Sequence, residues 1–132
     1  MAETNAGPGR LLIGVYGLFA VAAGARAGVQ IATRFADAPV AYTLSALAAL
    51  IYLAATAGLA LGDRRGRRLA LACCTVELAG VLAVGASSLV WRDAVPDATV
   101  WSGFGAGYGF VPLVLPVLGL AWLRRTRPAV TR

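Results

Sequence analysis

Four runs of 21 or 22 mostly apolar residues, 11–31, 40–61, 69–90 and 103–123, constrain this chain more than any other feature. At about 1.5 Å of rise per residue, each run as a helix spans the roughly 30 Å of bilayer hydrocarbon. Only Arg26 and Glu77 carry charge inside them. With 59% hydrophobic residues in 132 and a mean hydropathy of +0.74, the chain is too apolar for an ordinary soluble domain. The reading is an all-α fold: one four-transmembrane-helix bundle over 11–123, an N-terminal tail (1–10) and a basic C-terminal tail (124–132).

Charge orients the spans. All twelve basic residues are arginine, with no lysine and no histidine. Arg10, the group Arg64, Arg65, Arg67 and Arg68, and Arg124, Arg125, Arg127 and Arg132 fall on one side, against Arg34 and Arg92 on the other. The positive-inside rule then predicts an N-in/C-in topology, with Trp91 and Trp101 in an outer aromatic belt and Trp122 in an inner one. Abundant Arg, Ala, Gly and Val without Lys suggest GC-rich coding, hence a bacterial cytoplasmic membrane. The +6 charge is read as a topology signal in contact with anionic lipid rather than as a nucleic-acid surface, because GDRRGRR reads as a tight turn between spans. The apolar start of the chain is read as a retained first span, since its run continues to Ile31.

The segment FGAGYGFVPLVLPVLGLAWLRR holds four glycines and two prolines. In water such residues break helices; in lipid the backbone has no competing solvent and helical bonding persists. Pro112 is expected to free the carbonyl of Tyr108 and Pro116 that of Pro112, kinking the fourth span near its middle. Loosened carbonyls of this kind line cavities in transporters. Gly103 and Gly107, four apart, and Gly17, Gly24 and Gly28 on one face of the first span are candidate helix-packing positions. Phe19, Arg26, Gln30 and Thr33 lie on the opposite face. On the third span Ala70, Cys73, Glu77, Gly80 and Ser88 share one side, with Leu71, Leu78, Leu82 and Leu89 on the other.

An ionisable residue inside a membrane is a functional candidate by default. Glu77 lies about 12 Å along its span and Arg26 about 22 Å, so a direct ion pair needs tilt or a shifted frame. Three readings stay open: an ion pair stapling the bundle, an outward pocket using Arg26, or proton coupling by Glu77. Arg26, Gln30, Glu77, Ser88 and Tyr108 are the candidate ligand-binding or intramembrane polar network. Without histidine, zinc sites, haem ligation and Ser-His-Asp triads have no side chains to use, and the adjacent Cys73 and Cys74 read as small buried side chains. No metal, cofactor or catalytic residue is expected.

VWSGFGAGYGF is similar to the W-S-G-x-G signature of small multidrug resistance transporters. Their intramembrane glutamate is on the first helix and their tryptophan motif on the third, whereas here Glu77 is on the third span and Trp101 follows it, so the match is set aside. The whole chain resembles small four-span integral membrane proteins of high-GC Gram-positive bacteria, a resemblance that implies a location and no activity. The expectation is a non-enzymatic membrane protein, an accessory or interaction subunit whose partners are the lipid bilayer and other membrane subunits or a second copy. The alternative is an oligomeric transporter or binder of a small anionic or lipid-like ligand around Arg26.

Overall fold

The structure, a computed structural model, describes residues 4–37, 39–90, 101 and 110–126. Four helices account for nearly all of them: α1 (Pro8–Arg34), α2 (Pro39–Leu61), α3 (Arg64–Val90) and α4 (Val111–Arg125), with a 3-10 turn, Phe35–Asp37, after α1. Three stretches, Pro8–Asp37, Pro39–Leu61 and Arg64–Ser87, are long and apolar enough to cross a membrane. Described α4 has 15 residues, about 22 Å, less than a full crossing. The expected fourth span, 103–123, is thus described only from 110 onward; Gly103 and Gly107 lie outside the described residues.

Local chemistry sets the helix ends. Pro8 and Pro39 open α1 and α2, where a missing N–H costs nothing. Gly62 ends α2 with φ +73°, the left-handed cap that glycine adopts most readily. Asp63 then starts α3, its Oδ1 accepting the Gly66 N–H at 2.7 Å. The expected tight turn therefore shrinks to Gly62 and Asp63, and residues 64–68 form the start of α3. Phe110, with φ 62°, opens α4 and its carbonyl accepts from the N–H groups of Leu113 and Val114, both at 3.0 Å. Pro112 consequently occupies the second helical position rather than mid-span, and its lacking N–H breaks no helical bond. Only Pro116 lies inside α4.

Consecutive helices pack against each other, while α1 and α4 touch little. Thr4 ties the molecule together at one end: its Oγ1 donates to Leu59 O at 2.8 Å, and its carbonyl accepts from Trp122 Nε1 at 2.9 Å. Asn5 Nδ2 donates to Ala60 O at 2.9 Å. Thr4 and Asn5 thus cap the C-terminus of α2. The start of α1, the α2–α3 turn and the end of α4 share this end, and Arg10, Arg64, Arg65, Arg68, Arg124 and Arg125 are exposed there.

Small residues make up much of the core: Ala20, Ala23 and Ala27 of α1, Ala48, Ala49 and Ala55 of α2, and Ala70, Cys73 and Cys74 of α3 are buried, around the larger Tyr16, Tyr52, Leu59 and Leu123. Leu18, Val21, Leu50, Leu53, Leu71 and Leu82 are exposed. Small residues where helices meet, with many leucines and valines turned outward, is the arrangement expected where lipid is the solvent and backbones approach closely. The closest approach is between α2 and α3, where a Cβ on Gly58 would lie 2.6 Å from Gly66 O and 2.8 Å from Ala70 N. The glycines of α1 pack less tightly. A Cβ on Gly17 would sit 3.5 Å from Thr56 Cγ2, one on Gly24 3.7 Å from Ala49 Cβ, and one on Gly28 would meet nothing within 4 Å among the described residues. The buried stripe of α1 is instead Tyr16, Ala20, Ala23, Ala27 and Gln30, roughly 100° around the helix from Gly17 and Gly24.

Candidate functional site: a buried tyrosine–glutamate–cysteine cluster

Glu77 lies on the inner stripe of α3, among Ala70, Cys73, Cys74 and Val81 at intervals of three and four, and is 0% exposed. That spacing keeps one helix face pointed at the bundle centre. Tyr16 of α1, also fully buried, meets it there. The Tyr16 hydroxyl donates to Glu77 Oε1 at 2.8 Å and lies 3.3 Å from Cys74 Sγ, one turn before Glu77. Glu77 Oε2 has no hydrogen-bond partner among the described residues. An isolated buried polar group is costly, so the single tyrosine contact carries weight here.

The other helices close the cluster. Tyr52 of α2 sets its ring centroid 6.4 Å from that of Tyr16 and 5.1 Å, edge-on, from that of Phe19. Its hydroxyl accepts from Trp101 Nε1 at 2.6 Å. Trp101 in turn lies over Gly80, where a Cβ would come within 2.6 Å of the indole ring. From α4, Gly119 leaves room for the cluster: a Cβ there would lie 2.6 Å from Cys74 Sγ and 3.4 Å from the Tyr16 hydroxyl. Each helix thus contributes one fitted surface. We expect Trp101→Phe, which keeps a ring but loses the N–H donor, to cost about 1 kcal/mol. Thermal unfolding in detergent checks this, and an unchanged midpoint would mean that the indole is not docked on Tyr52.

The sequence candidates separate. Glu77 is central, but its partner is Tyr16, not Arg26. Arg26 lies ten residues beyond Tyr16 along α1, about 15 Å and roughly 80° around the helix, and it is exposed. The stapling ion pair is replaced because a phenol already reaches the carboxyl at its own depth. Gln30 is buried on the same stripe as Tyr16. Tyr108 and the Ser88 side chain lie outside the described residues, so the outward pocket reading falls partly there. Among the described residues, no three His, Cys, Asp or Glu side chains gather as a metal site.

Sequence reasoning missed Tyr16, Tyr52 and Arg67. A signal for Tyr16 was present: residues 16, 20, 23, 27 and 30 form a stripe with helical period, masked because alanines look neutral beside glycines and charges. Arg67 gave none. From the first turns of α3 its guanidinium donates to Leu123 O and, at 3.4 Å, to Thr126 Oγ1. Thr126 itself donates from N and Oγ1 to Trp122 O at 2.9 and 2.8 Å. One arginine of the basic group is therefore the cap of α4, where a cation also complements the helix dipole.

Comparison of the chain with protein-family models, with curated proteins and with solved structures finds no match.

Proposed function

We propose that the chain is a small integral membrane protein without enzymatic activity, which works by contact as an accessory subunit of a larger assembly. Its termini and its α2–α3 turn face the cytoplasm of a bacterium. One observation carries the reading: the intramembrane carboxyl is 0% exposed and bonded to Tyr16, whose hydroxyl packs in turn beside Gly119. A carboxyl held this way stabilises the arrangement of helices rather than meeting a substrate. What remains for function is the outside, and there Leu18, Val21, Leu50 and Leu53 present apolar side chains between the charged ends. The arginines gathered at one end support the orientation.

The test is extraction of the tagged chain from its native membrane in mild detergent, with the mass of the resulting complex measured. The expected result is a second polypeptide at fixed stoichiometry, released by Val21→Trp or Leu50→Trp with the thermal midpoint of the isolated chain unchanged. A homogeneous homo-oligomer carrying a small anionic molecule, lost in Arg26→Gln, would replace this reading with the ligand-binding one.

A further inference from the structure

Between α1 and α4, which touch little, runs a groove of about 290 Å³. Leu11, Leu12 and Val15 of α1 form one wall, and Leu115, Leu118 and Trp122 of α4 the other. From Leu115 to Trp122 the groove follows α4 for about 10 Å. It is open sideways, since Leu11 is 73% and Leu118 51% exposed. Its end is fixed, because Trp122 Nε1 donates to Thr4 O at 2.9 Å and holds the indole in place.

Residues 115, 118, 122 and 125 of α4 follow one another at intervals of three, four and three, so Arg125 continues the ridge that forms the groove wall. Arg124 points to a different face, roughly 100° away. Among the described residues, the exposed charges at this end are mostly cationic: Arg10, Arg64, Arg65, Arg68, Arg124 and Arg125, with the acid Asp63 beside them, its carboxylate bonded to the Gly66 N–H. An apolar channel open to the side, with an indole at its end and an exposed arginine three residues further along the same helix ridge, has the layout of a lipid: chain, interface, phosphate.

We propose that the α1–α4 groove holds one acyl chain of an anionic phospholipid, whose phosphate is bound by Arg125. Charge decides against the competing occupant. A second copy packed here about a twofold axis would bring one arginine-rich end against another, at a cost in like-charge repulsion. A zwitterionic lipid would fill the groove equally well and gain less from the arginine. The proposal rests on the reading that the chain spans a membrane.

The test places the full chain in nanodiscs of equal phosphatidylglycerol and phosphatidylcholine, then counts the lipids retained on release into the gas phase. The wild type should keep one phosphatidylglycerol with about fivefold preference, the size expected of one arginine acting on an anionic lipid surface. Arg125→Gln should bring the two lipids to near parity, Arg124→Gln should leave the preference in place, and Leu118→Trp should displace the retained lipid of both kinds. Equal retention by the wild type, equal losses from both arginine variants, or a lipid-free dimer would each overturn the proposal. Release of the chain from membranes by alkaline carbonate would instead overturn the membrane reading beneath it.

Discussion

Gly58→Leu is expected to abolish the folded state in mild detergent, and Gly58→Ala to lower stability by about 1–3 kcal/mol, the range for overpacking a filled interface. A Cβ at Gly58 meets backbone, the Gly66 carbonyl oxygen at 2.6 Å and the Ala70 nitrogen at 2.8 Å. Neither can rotate aside, so α2 and α3 must separate. Separation also strains the caps that Thr4 and Asn5 place on Leu59 and Ala60. Gly28→Ala is the control, because the added methyl meets nothing within 4 Å among the described residues. It should be neutral or stabilising by up to about 1 kcal/mol through helix propensity. Unfolding curves in a detergent titration compare the three variants directly. If Gly58→Ala matched the wild type, the two helices would not cross at this point.

Tyr16→Phe is expected to cost about 1–3 kcal/mol although it removes a single oxygen atom, because it leaves the buried Glu77 without its O–H donor. Glu77→Met should cost a similar amount by stranding the Tyr16 hydroxyl, whose other contact is Cys74 Sγ at 3.3 Å. The double variant should cost clearly less than the sum, since replacing both partners by apolar groups removes the unmet polar atoms. A coupling of about 1–3 kcal/mol in this cycle identifies the pair. Arg26→Gln should show no such coupling with Glu77→Gln. Coupling there, with none at Tyr16, would restore the ion pair that the sequence made attractive.

Charges in an apolar run stand out in a sequence, so Arg26 and Glu77 were matched by sign, whereas burial decides which groups meet. Arg26 lies on the exposed surface of α1, and Tyr16, which reads as an ordinary aromatic residue, lies at the depth of Glu77. The glycines teach the same point. Spacing picks Gly17, Gly24 and Gly28, but the tight positions include Gly58, Gly66 and Gly119, each opposite an atom of another helix, and Gly80, which lies under the Trp101 ring. Spacing within one helix cannot reveal what stands opposite. The α3 faces were more legible: Ala70, Cys73 and Glu77 are buried and Leu71 and Leu82 exposed, because a run of leucines set against small and polar residues already encodes two environments.

The sequence by itself determined the helical class, three of the four long apolar stretches it offers, and the clustering of Arg10, Arg64, Arg65, Arg68, Arg124 and Arg125 at one end. These follow from composition along the chain, since in lipid every backbone polar group must be satisfied within its own helix. Tertiary structure alone decided that Arg67 caps α4, that Thr4 ties three segments together, that Pro112 sits harmlessly in a first helical turn, and that Glu77 belongs to Tyr16. Each of these depends on helix rotation and depth, which are set by how small side chains let backbones approach, a property of pairs of helices rather than of any one of them.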